Sequence, residues 1–521
     1  MIYSSGIQSF AELRHYGCKY VDKTSYLYNL INSGKYFYLC RPRRFGKSLT
    51  LSTLEYIFKG KKDLFNGLFI EDKWDWQQNF PVIRIDFTMI GEKSNGLKTA
   101  LTKKLREIAT DYKIEIVETE LPNIFQELIK KLHTTYNKVF ILIDEYDKPI
   151  LDYIETEHHQ RAVENREVLK TFYSIIKGSD EYIRFFFFTG IAKFPKLSLF
   201  SALNNLEDVS NSKELCNIVG YTETELLSVF SEQLVHCHKQ IEPQLIFEEF
   251  MNEVRYWYNG YNFGGDCKVY NPFSIMLFME GANRFKAYWS ESGTPNFLIK
   301  LMDKQHDFIF KKYQDLFERV ETFNIDNLSL ANVLYNAGYI TVVEMGKYGS
   351  AVFDYPNKEV EISLNEHITQ HYYNYPSRFE TPHYYKAAQA FEDNNIELAM
   401  QIFDSMLKSI PSNLFVKKKN GNRDYEKSYH LIFHLLFSCI GSTIRSEVSI
   451  AKGRIDCAIT TSKYNYIVEL KTDQSAEIAL NQIEVKEYYK PYLAESKPII
   501  LIGININTSK KKELSWLMRE M

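Results

Sequence analysis

The stretch Tyr36-Phe37-Tyr38-Leu39-Cys40-Arg41-Pro42-Arg43-Arg44-Phe45-Gly46-Lys47-Ser48 decides the fold of the first part of this chain. It begins as an aromatic run of strand character, makes a tight basic turn and ends in Gly-Lys-Ser. A helix-like segment from Leu49 to Phe58 follows directly. A strand, a turn and a helix N-terminus in this order are typical of a phosphate-binding loop, whose backbone N–H groups cradle phosphates.

Two side chains of this turn have predicted roles at a nucleotide. Lys47 is expected to reach the β- and γ-phosphates, and the Ser48 hydroxyl is expected to hold Mg²⁺. The general pattern G-x-x-x-x-G-K-[ST] places its first glycine at position 41, where this chain has Arg41. The chain must therefore turn without that glycine, and the fixed φ of Pro42 is the predicted means.

Composition limits the class of protein. The 521 residues suffice for about three domains, and 45% hydrophobic with 25% charged residues is typical of a soluble globular protein. A formal net charge of -3 argues against a globally basic nucleic-acid binder. Seven scattered cysteines form no C-x-x-C pair, the N-terminus lacks signal-peptide features, and no apolar run would span a membrane. We therefore expect a cytoplasmic protein with no membrane partner.

Apolar strand-like runs alternate with helix-like segments after the loop. Further strands are predicted at Pro81–Phe87, Lys138–Glu145 and Arg184–Gly190, with helical segments at Leu97–Leu132 and Arg161–Lys177. Continuous apolar strands that alternate with helices indicate an α/β fold with a parallel sheet covered on both faces. Ligands bind such sheets at the carboxyl ends of the strands.

Three polar residues close the later strands at that end. Asp144 and Glu145 follow four apolar residues in the form of a Walker B motif, and Thr189 closes the next strand. Asp144 is expected to orient the Mg²⁺ shell, Glu145 to act as general base on the attacking water, and Thr189 to hydrogen-bond that water or the γ-phosphate. The alternative is a pair of acids that end a strand at the surface. A separate strand carrying the glutamate favours the additional-strand division of the P-loop NTPases.

Several of these motifs together resemble one bacterial family. The runs Tyr20–Thr24, Arg41–Leu49, Ile143–Asp147 and Phe188–Ile191, with Asn204-Asn205-Leu206, are similar to the AAA-ATPase-like family, whose members typically end in a PD-(D/E)XK nuclease-superfamily domain. The loop of that family reads R-P-R-R-F-G-K-S, so Arg41 agrees with it. The resemblance implies ATP as the ligand. The predicted nucleotide-binding residues are Arg43, Arg44, Gly46, Lys47, Ser48, Leu49, Asp144 and Thr189.

The middle of the chain carries helical patterns and no phosphate or metal signature. Asn271-Pro272 predicts a helix start, with asparagine at the cap and proline at the first position. A helix from Leu328 to Gly338 and a hairpin around Gly346–Ser350 are also predicted. We expect a helical lid that packs on the ATPase. The helix and hairpin suggest either a winged-helix-like piece that contacts DNA or a structural spacer.

The last hundred residues predict a small sheet with a second site. A helix from Glu426 to Cys439 is expected before strands at Arg445–Ile450, Gly453–Ile459, Tyr464–Thr472 and Pro498–Ile506. Glu469 and Lys471 are two apart on a strand, so they share one face, and Asp456 on the preceding strand would lie alongside. Two carboxylates can hold Mg²⁺, and an ammonium group can stabilise a phosphate or help to deprotonate water.

The spacing D…E-x-K matches the hydrolytic core of the PD-(D/E)XK superfamily. Asp456, Glu469 and Lys471 are the matching residues, although Ile455 stands where that superfamily commonly has proline. Glu447 is a further predicted ligand, and Gln482 with Tyr488 falls where the superfamily often has a supporting glutamine. The alternative is an exposed cross-strand ion pair. Yet Tyr466–Leu470 is apolar on both faces, and charge on a central strand is costly unless it is functional or paired.

We expect a P-loop domain at residues 1–210, a helical lid and linker at 211–425 and a nuclease-like domain at 426–521. The leading hypothesis is an ATPase coupled to a metal-dependent nuclease, with Glu145, Asp456, Glu469 and Lys471 catalytic and Ser48, Asp144, Asp456 and Glu469 as metal ligands. Nucleic acid, more readily DNA, is the expected partner, and a protein partner or self-association is a further expectation. The main alternative is a STAND-like ATP-dependent switch with a degenerate nuclease fold. A third is a DNA-binding regulator.

Overall fold

The computed structural model describes residues 6–90, 95–154, 159–194, 200, 203, 205–263, 268–281, 284–289, 298, 301, 313–323, 329–373, 383–409, 443–450, 453–461, 463–493, 497–507 and 513–521. The chain divides into two compact units. The first comprises Met1–Ser292 with Phe310–Val360, and the second Gly293–Ile309 with Glu361–Met521. The three-domain division expected from the sequence stays a prediction.

The first unit is built around a five-stranded parallel sheet. Its strands are β1 (Tyr36–Cys40), β2 (Val82–Asp86), β3 (Val139–Asp144), β4 (Ile183–Gly190) and β5 (Glu207–Asp208). Their order is β2-β3-β4-β1-β5, so β4 lies between the strand that precedes the loop and the strand that ends in Asp144. Nearly every residue of β1, β3 and β4 is buried, as expected for a sheet covered on both faces. The predicted α/β fold is confirmed.

Helices cover this sheet. Their bounds are α1 (Phe10–His15), α2 (Thr24–Ser33), α3 (Lys47–Phe58), α4 (Leu97–Asp111), α5 (Leu121–Thr135), α6 (Lys148–Leu151) and α7 (His159–Gly178). The amphipathic region predicted at Leu97–Leu132 is therefore two helices, because Lys113 takes a left-handed φ of 55° and ends the first. Aromatic rings fill the core, for example the stacked pair Phe125 and Phe172 at 4.2 Å.

The middle of the chain supplies helices and a small sheet to the same unit. Its elements are α8 (Glu223–Ile241), α9 (Phe247–Tyr258), α10 (Pro272–Glu280), β6 (Tyr313–Leu316), α11 (Phe317–Glu321), α12 (Leu330–Ala337), β7 (Thr341–Met345) and β8 (Ser350–Asp354). Asn271 caps α10 by accepting hydrogen bonds from the N–H groups of Phe273 and Ser274, as predicted. The predicted hairpin is β7–β8. Strand β6, which the sequence analysis did not predict, pairs with β8 on its other edge.

The second unit holds a mixed five-stranded sheet. Helices α13 (Lys358–Tyr373), α14 (His383–Glu392) and α15 (Ile396–Ser409) precede β9 (Thr443–Ile450), β10 (Gly453–Thr460), β11 (Asn465–Thr472), α16 (Ala476–Val485), β12 (Ile499–Asn507) and β13 (Glu513–Glu520). The strand order is β13-β12-β11-β10-β9. Helices α14 and α15 pack on one face of the sheet, and α16 packs on the other. This is the small α/β domain that the sequence predicts.

Strand β13 lies beyond the strand predicted at Pro498–Ile506, which was the last one that the sequence analysis gave to this sheet. It pairs antiparallel with β12 along its whole length, from Glu513 opposite Asn507 to Glu520 opposite Ile500. Its sequence, rich in Leu, Met and Glu, has helical propensity. The backbone edge of β12 overrides that propensity, and Leu514 and Trp516 pack against the core on one face.

One predicted element, the helix at Glu426–Cys439, lies outside the described residues. Within the described residues, no helix is long and apolar enough to cross a membrane.

Candidate nucleotide and metal sites

The phosphate loop turns by two left-handed residues rather than by Pro42. Arg44 has a φ of 68°, and Gly46 has a φ of 95° and forms the N-cap of α3. The glycine adopts this conformation without a steric cost, whereas the arginine must be held in it by its surroundings. The sequence prediction that proline makes the turn is therefore incomplete.

Arg41, which stands where the general motif has glycine, is buried under the loop. Its Nη1 donates to the carbonyl of Cys40 at 2.9 Å, and its Nη2 donates to the carbonyl of Cys216 at 3.4 Å. Its guanidinium carbon lies 4.0 Å from the ring centroid of Phe263. Burial lowers the pKa of this guanidinium to about 10. Arg41 is thus a structural residue that ties the loop to the middle region.

Lys47 lies at the base of the loop with its ammonium group held by main-chain oxygens. Nζ donates to the carbonyls of Arg41 and Pro42, each at 2.9 Å. Burial lowers the pKa of Lys47, and the nearby carboxylates of Glu145 and Asp144 counteract that shift. The lysine is therefore preorganised in the loop and close to both acids of the predicted Walker B motif.

The predicted metal ligand Asp144 and the predicted sensor Thr189 contact each other. The Thr189 hydroxyl donates to Oδ1 of Asp144 at 2.6 Å, and the N–H of Glu145 donates to the same oxygen at 3.0 Å. Both side chains are buried. Oδ2 of Asp144 is also buried and has no hydrogen-bond partner in the structure. Thr189 thus positions Asp144, and its contact with water or a γ-phosphate stays a prediction.

Glu145 occupies a strained backbone position next to Asp144. Its φ of 49° is left-handed, and burial raises the pKa of its carboxyl group while Lys47 opposes that shift. Non-glycine residues in this conformation cost free energy and cluster at functional sites. The strain supports the general-base role predicted for Glu145.

A cleft of about 420 Å³ brings most of the predicted nucleotide residues together. Its lining is Gly6, Ile7, Gln8, Leu13, Arg43, Arg44, Gly46, Lys47, Ser48, Leu49, Glu145, Lys148, Tyr221, Pro272, Phe273 and Met276. Four of these side chains are cationic and one is a carboxylate. Such an excess of positive charge around a helix N-terminus suits a polyanionic ligand.

Residues of the middle region hold the phosphate loop through hydrogen bonds and a ring contact. The sequence analysis did not predict these contacts with the loop. The N–H of Gly220 donates to the carbonyl of Phe45 at 3.2 Å, and Nδ2 of Asn271 donates to the carbonyl of Arg43 at 3.4 Å. The Phe45 ring packs edge-on against Tyr261 at 4.8 Å. The Asn-Pro motif pointed to Asn271 as a helix cap, whereas no sequence pattern predicted the contacts of Gly220 and Tyr261 with the loop.

Two lysines of this unit form ion pairs with carboxylates further along the chain. The buried Lys23 lies 2.7 Å from Glu225, which also completes the capping box of α8. The half-buried Lys193, just beyond β4, lies 2.5 Å from Asp208 and 2.8 Å from Glu321. Removing one partner from a pair shielded from water is costly, because it leaves an uncompensated charge. Lys193 is thus held by carboxylates of its own unit.

The second unit brings Asp456, Glu469 and Lys471 together. Lys471 Nζ donates to Oε1 of Glu469 at 2.9 Å, and Gln482 Nε2 donates to the same oxygen. Oδ2 of Asp456 accepts the N–H of Leu470 from the neighbouring strand at 2.8 Å. Oε2 of Glu469 is buried with no hydrogen-bond partner in the structure. The predicted ligand Glu447 lies on β9, and its side chain is outside the described residues.

The surroundings of Glu469 disfavour the ionised form of its carboxyl group. Burial, reinforced by the charge of Asp456, raises its pKa to about 7, and Lys471 opposes the shift. Buried carboxylates with this environment are frequent at active sites. A divalent cation beside Oε2 would relieve both the burial cost and the repulsion.

Gly503 allows α16 to approach this site. It pairs with Glu469 across β11 and β12, and a Cβ at Gly503 would stand 2.4 Å from the carbonyl oxygen of Ala476 and 2.6 Å from the N of Leu480. Only glycine therefore permits α16 to lie this close to β12. The close approach is what lets Gln482 reach Glu469.

The chemistry of both sites fits Mg²⁺. Each presents buried carboxylate oxygen, including one oxygen without a partner, and oxygen is the donor that Mg²⁺ prefers. Within the described residues, no group of three or more His, Cys, Asp or Glu side chains is placed to hold a metal. Mg²⁺ usually takes only one or two carboxylates and completes its shell with water and substrate phosphate, so two-carboxylate sites are sufficient.

Thr189→Val should separate nucleotide binding from hydrolysis. The substitution keeps the shape of the side chain and removes the hydrogen bond to Asp144, so we expect kcat for ATP to fall about 10- to 100-fold, in line with losses at groups that orient metal ligands. The Kd for ATP measured by calorimetry should change much less. Thr171→Val is the matched control, because it removes a hydroxyl that donates to the carbonyl of Glu167 within α7. An equal loss in both variants would contradict this role for Thr189.

Two family profiles match this chain, each over a range that contains one of the candidate sites. The profile of the predicted AAA-ATPases matches residues 4–200, and that of the PD-(D/E)XK nuclease superfamily matches residues 424–516. A protein of Azotobacter chroococcum mcd 1, the "Uncharacterized protein in vnfD 5'region", is 34% identical over 534 residues, which covers 99% of this chain and 98% of that protein. The chain belongs to the AAA-ATPase-like family.

Solved structures similar to this AAA-ATPase-like protein are more distant. The Aeropyrum pernix ORC1 protein in complex with DNA is 11% identical, with a TM-score of 0.26 over 66% of this chain and 90% of that one. Cdc6p from Pyrobaculum aerophilum has the same identity and TM-score over 67% and 93%. The two family profiles, and not these distant structures, show that the protein combines an AAA-ATPase-like domain with a nuclease-superfamily domain, as the sequence resemblance predicted.

Proposed function

We propose that the protein binds and hydrolyses ATP in the first unit and cleaves nucleic acid with a divalent metal in the second. The observation that carries the ATP site is the cleft, in which four cationic side chains and one carboxylate surround the N-terminus of α3. The observation that carries the nuclease site is the convergence of Asp456, Glu469 and Lys471 on neighbouring strands.

The cleft lining offers groups for both phosphate and base. Arg43, Lys47 and the N–H groups that begin α3 would bind the triphosphate, and Ser48 would hold Mg²⁺ together with the buried Asp144. The apolar lining residues Ile7 and Met276 would contact the adenine ring. Glu145 would take the proton of the attacking water.

Roles in the second unit follow the same reasoning. Asp456 and Glu469 would hold a divalent cation, and Lys471 would stabilise the phosphate charge or assist deprotonation of water. Gln482 would keep Glu469 in place through its hydrogen bond. When bound, Mg²⁺ would supply charge stabilisation at the phosphate and lower the pKa of a bound water. Nucleic acid, DNA before RNA, is the proposed substrate.

The buried thiols support the proposed reducing compartment. Within the described residues, Cys18, Cys40 and Cys237 are buried thiols that form no disulfide. Disulfides persist mainly in oxidising compartments, so free thiols fit the cytoplasm. Self-association and protein partners stay predictions.

One set of assays on the wild-type protein tests this proposal. ATP binding is measured by calorimetry, phosphate release by a coupled assay, and cleavage on single-stranded DNA, duplex DNA and RNA with Mg²⁺ or Mn²⁺. We expect saturable ATP binding, slow turnover and metal-dependent cleavage that EDTA abolishes. ATP binding without cleavage of any substrate would favour the signalling switch instead. Metal-independent, salt-sensitive duplex binding without ATP turnover would favour the DNA-binding regulator.

A further inference from the structure

The cleft contains a cation that the phosphate loop does not supply. Lys148, the first residue of α6, lines the same cleft as Lys47 and Glu145. Its Nζ lies 3.0 Å from both carboxylate oxygens of Asp152, one helical turn further along. The Lys148 side chain keeps 27% of its surface exposed, so a rotation about its own bonds can move the ammonium from Asp152 into the cleft.

The turn that places Glu145 also places Lys148. The N–H of Lys148 donates to the carbonyl of Glu145 at 3.0 Å, which closes the turn directly after the Walker B strand. Between them, Asp147 is buried and accepts the N–H groups of Ile191 and Ala192 at 2.7 and 2.6 Å. The turn is thereby fixed to the end of β4, so the backbones of Glu145 and Lys148 keep a constant position relative to each other.

Several other cations of this unit have defined contacts in the structure, and Arg43 and Lys47 are the ones proposed to bind the triphosphate. Lys193 forms its ion pairs with Asp208 and Glu321, and Arg184 donates to the carbonyl of Ile31. Lys47 is held by carbonyls of the loop, and the Arg44 guanidinium stacks on Phe273 at 4.6 Å. Among the cations that line the cleft, Lys148 is the one that follows the Walker B strand.

ATP hydrolysis creates a need for such a cation. The water oxygen bonds to the γ-phosphorus while the bond from that phosphorus to the β,γ-bridging oxygen breaks, and Glu145 takes the water proton. ADP leaves with the bonding electron pair, and inorganic phosphate is the other product. Negative charge on the transferring group is stabilised by a positioned cation, which many P-loop enzymes take from an arginine.

We infer that Lys148 is this cation and acts within its own chain, with Asp152 as its partner before ATP binds. The inference rests on the proposed ATP hydrolysis. It implies that the protein needs no residue of a neighbouring subunit to complete the ATPase site. Asp152 then sets how readily Lys148 turns toward the nucleotide.

The test compares kcat and the Kd for ATP in Lys148→Ala, Lys148→Arg and Lys131→Ala, using the full chain. Lys131 forms a similar one-turn ion pair, with Glu127 on α5, and does not line the cleft. We expect Lys148→Ala to lower kcat about 10²-fold or more, the loss typical of a missing electrostatic stabiliser. Its Kd for ATP should change by less than about tenfold, since one exposed charge contributes little to ground-state binding. Lys148→Arg should retain most of the rate and Lys131→Ala all of it.

A second measurement follows wild-type turnover per chain against protein concentration, which should stay constant. Wild-type kcat in Lys148→Ala, or a rate per chain that rises with concentration, would overturn the inference while leaving ATP hydrolysis intact. Melting curves identify a variant that fails to fold. If Lys148→Ala does not fold, kcat of Lys148→Arg is compared with that of the wild-type protein instead. Absence of ATP binding in the wild-type protein would instead overturn the proposed function and this inference together.

Discussion

Glu469→Gln should abolish metal-dependent cleavage of nucleic acid. The amide replaces one of the two neighbouring carboxylates with a neutral group, so the site loses half of the negative charge that would hold a divalent cation. A bound metal contributes several kcal/mol of transition-state stabilisation, and its loss corresponds to about 10³-fold or more in kcat. Cleavage of a labelled oligonucleotide under Mg²⁺ and Mn²⁺ measures this effect.

The same substitution should leave the fold at least as stable at high pH. The pKa of Glu469 is raised to about 7 in the folded protein from a reference value of 4.5. Since the folded pKa exceeds the unfolded one, the ionised carboxylate costs stability as pH rises from about 4.5 to 7, and the cost is complete above 7. The melting temperature of Glu469→Gln minus that of the wild type, in EDTA, should therefore increase from pH 5 to pH 8.

Glu484→Gln is the matched control for this experiment. Glu484 lies on α16 in the same unit and pairs with Arg519 at the surface. Its amide variant should cleave at the wild-type rate and show no pH-dependent change in relative stability, because surface ion pairs contribute little. Undiminished cleavage by Glu469→Gln would show that this site is not the nuclease centre.

Lys47→Ala should remove ATP binding. Its ammonium is buried in the loop and preorganised by two carbonyls, so binding phosphate costs little reorganisation. A charged hydrogen bond to phosphate is worth about 1.5–3 kcal/mol, and the buried carboxylates lose their counter-charge as well, so we expect Kd to rise about 100-fold or more. Calorimetric titration with ATP and Mg²⁺ measures the change.

Lys103→Ala provides the control for Lys47. Lys103 is an exposed lysine of α4 that lies outside the cleft, 3.9 Å from Glu107. Its removal should leave Kd for ATP unchanged. Unaltered affinity in Lys47→Ala would contradict the proposed nucleotide site, whereas cleavage that persists in Lys47→Ala would show that the nuclease works without nucleotide.

The parallel sheet could be predicted from sequence because its strands are continuous apolar runs. An apolar run such as Phe185–Phe188 places apolar side chains on both faces of its strand, as a sheet covered on both faces requires. The pattern is local, so it can be read from the sequence alone. The ends of β3 and β4 then place Asp144 and Thr189 at one edge. The sequence also predicted that Asp456 and Glu469 lie side by side, because they stand on neighbouring strands.

Other features depend on contacts between distant segments. The buried position of Arg41 requires Cys216 and Phe263, which no local pattern connects with the loop. The left-handed conformation of Arg44 likewise has no sequence signal, because arginine rarely adopts it. Strand β13 was missed because its composition favours a helix and only pairing with β12 makes it a strand.

The contacts between the middle region and the phosphate loop have a consequence for truncated fragments. A fragment ending at residue 210 would lack Glu225, the ion-pair partner of Lys23, and would expose the Phe45 ring that Tyr261 covers. It would also lose the hydrogen bonds that Gly220 and Asn271 donate to carbonyls of the loop. We therefore expect the AAA-ATPase-like part to be less stable when cut at that boundary than when it extends through α10.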